Sequence, residues 1–182
     1  MKPLLVLLTL GLAACTSAFA AESWWPQFRG ANCSGVSDTA KPPAEFGPGK
    51  NQLWKIAVPS GASSPCVWGD RIFLTTFDGK TLETHCYARR DGKLLWNLPM
   101  GPFNNNFGAG SSPLIVGDRI ILCQDHDLGS FLMAINKKTG EIIWNKDRSE
   151  FPRNYCTPII WENAGKKQIV IAATLRVVGY DL

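Results

Sequence analysis

The hydrophobic positions of this chain fall into short runs separated by turn-forming residues, with little helical periodicity. Residues 131–135 (FLMAI) are apolar, residues 136–140 (NKKTG) are typical of a turn, and residues 141–144 (EIIW) form a second largely apolar run. Apolar, β-branched and aromatic runs bounded by Asn, Thr and Gly predict two strands joined by a hairpin. A lone hairpin is marginally stable in water, so the question is whether this unit recurs.

The hairpin does recur, as part of a longer internal repeat. CYARRDGKLLW (86–96) matches AINKKTGEIIW (134–144), and SSPCVWGDRIFL (63–74) matches SSPLIVGDRIIL (111–122), both at an offset of 48 residues (134 minus 86, and 111 minus 63). A third copy starts at Thr157 and runs to Asp181. Several motifs that hold one period indicate a repeat architecture.

A period in the forties with about four short strands per copy is typical of a β-propeller blade. In the second copy we predict strand A at 114–116, strand B at 119–123, strand C at 131–135 and strand D at 142–144. The Gly-Asp pair between strands A and B suits a tight hairpin turn. The sequence therefore predicts an all-β chain built of four-stranded blades.

Both ends of the repeat region are incomplete. Residues 51–56 (NQLWKI) have the pattern of a lone strand D, and the third copy reaches Leu182 without its own strand D. We therefore predict a partial propeller over residues 51–182, with one orphan outer strand, two full blades and part of a third, after an extended segment over residues 21–50. Because propellers typically close with four to eight blades, we expect an N-terminal fragment of a longer protein. The alternative is a closed three-blade ring in which the orphan strand completes the third blade.

A tryptophan marks each predicted strand D, and a glycine precedes two of these tryptophans by four residues. A large ring can bury its area between neighbouring blades while its indole N–H reaches a backbone acceptor. We therefore predict a structural, blade-docking role for these five residues: Trp54, Trp96, Trp144, Gly92 and Gly140. One position of strand C is small in all three copies, which predicts close packing there; it holds Cys86, Ala134 and Gly179.

AINKKTGEIIW resembles the repeat of quinoprotein-type propellers, the pyrroloquinoline-quinone (PQQ) repeat, whose pattern runs Ala-x-Asp/Asn-x-x-Thr-Gly-x-x-x-Trp. The copy at 86–96 departs from it at Cys86 and Ala88 and has Asp91 in place of Thr. WPQFRG (25–30) is similar to the start of secreted bacterial propellers of this kind. The resemblance covers residues 24–182 and implies the propeller fold. The family includes PQQ-dependent alcohol dehydrogenases, an outer-membrane β-barrel assembly lipoprotein and many proteins with no assigned activity.

For the dehydrogenases, the resemblance implies adjacent cysteines, a calcium ion held by acidic and amide side chains, and a catalytic aspartate. The sequence contains no Cys-Cys pair, and no acidic residue matches those roles. We assign no catalytic or cofactor-binding residue in this stretch. PQQ with calcium is implied by the family resemblance alone.

Residues 1–20 have the features of a secretory signal peptide. An apolar stretch at 4–14, too short to span a bilayer, precedes the small-x-small site Ala18-Phe19-Ala20, which predicts cleavage after Ala20. The alternative is that LAAC (12–15) is a lipobox and that Cys15 carries a lipid anchor. Both interpretations predict an exported protein, in the periplasm, outside the cell or at the outer membrane.

Composition narrows the choice of partners only slightly. Of 182 residues, 45% are hydrophobic, and the formal net charge is +4 without a basic run longer than two residues. Scattered charge of this size does not favour nucleic-acid binding. After Cys15 the cysteines are odd in number, and their pairing stays open: Cys33, Cys66, Cys86, Cys123 and Cys156. We expect those on predicted strands, Cys66, Cys86 and Cys123, to be small buried residues.

Two loops between blades are the candidates for a binding surface. The linker 102–110 (PFNNNFGAG) holds three asparagines between aromatic residues, and residues 153–155 precede the third strand A in an equivalent place, so the loops could share a face. A solvated linker without a binding role is the alternative. The candidate residues are Asn104, Asn105, Asn106, Arg153, Asn154 and Tyr155.

The hairpin between strands B and C of the second blade holds Gln124-Asp125-His126-Asp127. Alternate residues of an extended strand point the same way, so Asp125 and Asp127 could converge on a metal ion while His126 points away. A single histidine favours an exposed loop over a metal site.

These observations favour an exported propeller that acts as a binding or scaffold module, with loops on one face engaging a protein or a small ligand. One alternative is the N-terminal part of a PQQ-dependent alcohol or sugar dehydrogenase. The other is a lipoprotein of outer-membrane protein assembly.

Overall fold

The computed structural model describes residues 24–182, and the elements within them are β-strands apart from one short 3-10 turn at Ala31–Cys33. The predicted signal peptide, its cleavage after Ala20 and lipidation at Cys15 lie outside the described residues. None of the elements between residues 24 and 182 is a helix that could cross a bilayer.

The strands form three antiparallel sheets, each ordered in space as its strands follow in sequence. The first blade holds β1 (Cys66–Trp68), β2 (Arg71–Phe77), β3 (Thr81–Ala88) and β4 (Leu94–Pro102). The second blade holds β5 (Leu114–Val116), β6 (Arg119–Gln124), β7 (Phe131–Asn136) and β8 (Ile142–Asp147). The third holds β9 (Ile159–Asn163), β10 (Lys166–Ala173) and β11 (Arg176–Asp181). The prediction of two full blades and three strands of a third is confirmed.

Strand β6 shows why the apolar runs do not alternate with polar residues. Ile120 and Leu122 point into a cluster shared with the first blade, whereas Ile121 and Cys123 point into a cluster shared with the third. Successive strand residues face opposite sides of a sheet, so a blade packed on both sides needs a continuous apolar run. The outer strand β8 is mostly exposed, and Trp144 is its half-buried residue.

The small position of strand C lies opposite the tryptophan of strand D. Cys86 pairs with Trp96, and Ala134 pairs with Trp144, each just before a register shift in the ladder. Directly opposed side chains in an antiparallel pair share a face of the sheet at close range. A large residue at the strand C position would compete with the indole ring for the same space.

The N-terminal segment crosses the first strands of two blades. Trp25 exchanges two backbone hydrogen bonds with Val67 of β1, both at 2.9 Å, and the Ile115 N–H of β5 donates to the Pro26 carbonyl at 2.8 Å. The segment therefore links β1 and β5 through its own backbone.

The predicted lone strand at 51–56 is wrong in one respect, because residues 51–65 form no strand in the structure. A strand needs a neighbour for its hydrogen-bond ladder, and these residues do not pair with β11, whose sheet neighbour in the described chain is β10. The closed three-blade arrangement is therefore not formed. Trp54 nevertheless packs on the first blade, close to Gly92.

Candidate functional site

Loops from all three blades meet at one end of the molecule. We call this surface the loop face and define it as loops 103–110, 125–130, 148–155 and 174–175. The Asp127 N–H donates to the Asn104 carbonyl at 3.0 Å, and the Asn154 N–H donates to the Asp125 carbonyl at 3.2 Å. The Thr174 hydroxyl donates to the Arg153 carbonyl at 3.1 Å, which joins the fourth loop to the third.

Two of the candidate residues contact each other directly across this face. The Tyr155 hydroxyl donates to Oδ1 of Asn105, and the Phe107 N–H donates to the Tyr155 hydroxyl oxygen at 3.2 Å. Nδ2 of Asn105 donates to the Asp125 carbonyl at 3.3 Å. Asn105 is buried and holds the loops together, whereas its neighbours Asn104 and Asn106 are exposed.

A buried ion pair lies beneath the loop face and joins two of its loops, 125–130 and 148–155. Arg148 donates from Nε and Nη2 to the two oxygens of Asp125, both at 2.8 Å, and neither side chain is exposed. The guanidinium also donates to the Tyr180 hydroxyl and lies 4.3 Å from the ring centre of Phe151. Burial is the largest single influence on the pKa of Arg148 and lowers it, but the hydrogen bond to Asp125 and the negative charges around the guanidinium together outweigh burial, so the pKa lies above the ordinary value. A paired, hydrogen-bonded charge of this kind fixes the loop geometry.

Sequence reasoning missed Arg148, although the repeat carries a signal for it. At the offset of 48 residues, Arg148 corresponds to Met100 and Asp125 to Phe77 (148 minus 100, and 125 minus 77). In the first blade Phe77 and Met100 pack on one apolar cluster. The second blade therefore replaces an apolar pair with an ion pair at the same two positions.

Asp125 and Asp127 do not converge as the metal hypothesis requires. Asp127 accepts from Nε of Arg153 at 2.7 Å and from its Nη2 at 2.6 Å, whereas Asp125 binds Arg148. The hydrogen bond from Arg153 lowers the pKa of Asp127. Between residues 24 and 182, no group of three or more His, Cys, Asp or Glu side chains is placed to hold a metal ion.

The expectation that His126 lies in an exposed loop is wrong. Its side chain is buried between Phe103, at a ring-centre distance of 4.6 Å, and Phe131, at 6.2 Å. The Leu128 N–H donates to its Nδ1 at 3.3 Å. Burial lowers the pKa of His126, so the neutral ring is favoured.

The outer surface of the loop face carries exposed apolar side chains. Phe107 is 83% exposed, Leu128 59% and Leu175 99%, with Tyr155 beside them at 38%. Arg153, with part of its side chain in solvent, lies in the same loop as Tyr155. Large apolar groups held in solvent among polar neighbours are typical of protein–protein contact surfaces.

The predicted blade-docking residues lie in contact across two junctions. A Cβ at Gly92 would lie 2.8 Å from Trp54, and one at Gly140 would lie 2.8 Å from Trp96. The indole N–H of Trp54 donates to the Arg89 carbonyl at 2.9 Å, whereas that of Trp96 is buried without an acceptor among residues 24–182. Trp144 packs against the cluster between the second and third blades. The stabilising role of these contacts is a prediction.

The described residues do not fit the quinone site that the PQQ resemblance implies. The cysteines between residues 24 and 182 are dispersed and all five are free thiols, so no adjacent pair can form the strained ring. The carboxylates at the loop face are bound to arginines. No step that needs PQQ or calcium is assigned to residues 24–182.

Comparisons with known proteins agree with this architecture. A family model described as "Outer membrane protein assembly factor BamB" matches residues 47–182. Among solved structures, BamB from Moraxella catarrhalis aligns with a TM-score of 0.52 at 15% identity, over 71% of this chain and 40% of that protein. A europium-containing methanol dehydrogenase aligns with a TM-score of 0.37 at 20% identity, over 46% of this chain and 15% of that one. The chain thus spans less than half of either protein. Curated proteins gave no significant match.

Proposed function

We propose that this chain, which belongs to the family described as outer membrane protein assembly factor BamB, is a binding module that engages a protein partner through its loop face. The observation that supports this proposal most strongly is the set of solvent-exposed apolar side chains on loops from successive blades, above all Phe107. The partner is a protein with an apolar contact patch and a carboxylate or carbonyl acceptor that Arg153 can reach.

The rigidity of the loops supports this proposal. Asn105 and Tyr155 cross-link two of them, and the buried pair of Asp125 and Arg148 holds the base of the face. A surface fixed before binding loses less conformational entropy on complex formation. Aromatic residues that stand on such a surface are the ones that most often dominate binding energy.

The family description supports a place in the assembly of outer-membrane proteins, because BamB is named as an assembly factor. Export fits this role and rests on the apolar stretch and small-x-small site within residues 1–20. In the alternative with a lipid at Cys15, the module would be held at the membrane surface. The loop face would serve the same contact in either case.

Site-specific photocrosslinking tests the proposal. A photoreactive phenylalanine analogue is placed at position 107, at 128, or at the control position 46, where Phe46 is 80% exposed outside the loop face. Positions 107 and 128 are expected to capture the same protein in the envelope of the producing cell, and position 46 is expected not to. Capture of the same protein from all three positions, or from none, would contradict the proposal.

A further inference from the structure

The five described cysteines fall into two classes. Cys66, Cys86 and Cys123 lie on strands and are buried, as expected from the sequence. Cys33 and Cys156 lie outside the strands, where Cys33 is half-buried and Cys156 is exposed. These last two are therefore the thiols that a reagent in solution can reach.

Both accessible thiols line one cavity of about 250 Å³. The N-terminal segment forms one wall with Gln27, Phe28 and Cys33. The third blade forms the other with Cys156 and Thr157–Ile159. The two cysteines thus face a shared space although they are 123 positions apart (156 minus 33).

The backbone around each thiol is fixed by hydrogen bonds. Arg29 donates from Nε to the Cys33 carbonyl at 3.0 Å, within a tight turn where Cys33 has a φ of 53°. The Cys156 carbonyl accepts from the Ser111 hydroxyl at 3.0 Å, and its N–H donates to Oδ1 of Asn154 at 3.0 Å. Cys33 and Cys156 are therefore presented by ordered segments and not by free ends.

We propose that Cys33 and Cys156, which are free thiols in this structure, form a disulfide that clasps the N-terminal segment to the third blade. Formation proceeds by exchange with a small disulfide such as oxidised glutathione. The exposed Cys156 thiolate attacks it, forms a mixed disulfide and releases one glutathione thiolate. The Cys33 thiolate then attacks the Cys156 sulfur and releases the second glutathione. Two protein thiols are oxidised, one glutathione disulfide is reduced, and the two protons lost by the protein thiols are taken up by the two glutathione thiolates.

The other three thiols do not compete in this exchange. The thiolate is the attacking species, and burial raises the pKa of Cys66 to about 12 and that of Cys86 to about 11. Burial also raises the pKa of Cys123. The five cysteines of residues 24–182 would thus consist of one accessible pair and three thiols that stay reduced inside the sheets.

The disulfide would give the N-terminal segment a third point of attachment to the blades. This segment already bonds to β1 through Trp25 and to β5 through Pro26. A bond from Cys33 to Cys156 would extend that link to the residues just before β9.

The test uses the full chain, purified reduced and then incubated with oxidised glutathione without denaturant. After alkylation and trypsin digestion, we expect peptide 30–50 joined to peptide 154–166, with Cys66, Cys86 and Cys123 alkylated only after unfolding. In Cys33→Ser the joined peptide is expected to disappear and Cys156 to carry glutathione. Cys156→Ser is the reciprocal variant.

Three outcomes would overturn the proposal. In the first, both Cys33 and Cys156 carry glutathione in the wild-type protein without a joined peptide. In the second, both stay free while the folded protein is exposed to the oxidant. In the third, the joined peptide arises only between two copies of the chain, seen as a dimer on a non-reducing gel.

Discussion

The indole ring of Trp96 in the first blade lies directly against the backbone of Gly140 in the second blade. A Cβ at position 140 would lie 2.8 Å from Cε3 of the ring, and Gly140 has a φ of +78°. Trp54 and Gly92 repeat the relationship one junction earlier. Each tryptophan thus covers the turn before the last strand of the next blade, at a position where a side chain would occupy the space of the ring.

Replacing Gly140 with alanine is expected to weaken the junction between the first two blades. The left-handed backbone and the clash with Trp96 together predict a loss of about 2–5 kcal/mol in the free energy of unfolding. Gly117→Ala is the matched control, because Gly117 has a φ of +58° with open space around it. It should lose only about 1–2 kcal/mol from backbone strain. Equal losses in urea unfolding would show that the contact with Trp96 does not stabilise the fold.

The buried pair of Asp125 and Arg148 allows a test based on the repeat itself. Arg148→Met alone leaves a buried carboxylate without its partner, and Asp125→Phe alone leaves a buried guanidinium, so each should cost about 3–5 kcal/mol. The double variant has Phe at position 125 and Met at position 148. These are the residue types that the first blade has at the equivalent positions, as Phe77 and Met100.

We expect the double variant to be more stable than either single variant, because the uncompensated charge is gone. Denaturant unfolding of the four proteins measures the coupling. A double variant that loses the sum of the two single losses would contradict this account of the ion pair.

Because His126 is buried, we expect the free energy of unfolding to depend on pH. Burial places its pKa in the folded protein below the unfolded value of about 6.5. The unfolded state therefore binds the proton more readily, and the free energy of unfolding should fall as the pH drops below about 6.5. Unfolding curves between pH 8 and pH 5 measure this loss. His126→Gln should show a smaller slope over that range, and an unchanged slope would assign the effect to other groups.

The sequence predicts the parts of the structure that depend on residues close together in the chain. It does not predict the parts that depend on contacts between distant residues. The strands of the second blade follow from the repeat, because apolar runs, Gly-Asp turns and the tryptophan ending recur together. The strand predicted at 51–56 does not form, because a strand-like sequence forms a strand only where a neighbouring strand supplies its hydrogen-bond ladder. The contact of Asn105 with Tyr155 agrees with the expectation of a shared face, which came from equivalent loop positions.

Other parts of the site depend on contacts that one sequence does not reveal. From the sequence alone, His126 is expected to be an exposed polar loop residue. Its burial results from packing against Phe103 and Phe131, which are more than four positions away in the sequence. The pairing of Arg148 with Asp125 could have been suspected from the two simultaneous departures from the first blade. The exposure of Phe107 and Leu175 follows from the paths of their loops and not from their residue types.

The central claim is that the loop face binds a protein, and the affinity of the captured partner tests it most directly. Calorimetry would compare the wild-type chain with Phe107→Ser and with Phe46→Ser, two changes of the same exposed residue type. We predict a loss of affinity of about tenfold or more for Phe107→Ser, as for an aromatic contact at an interface, and unchanged affinity for Phe46→Ser. Equal affinities for all three proteins would contradict the claim.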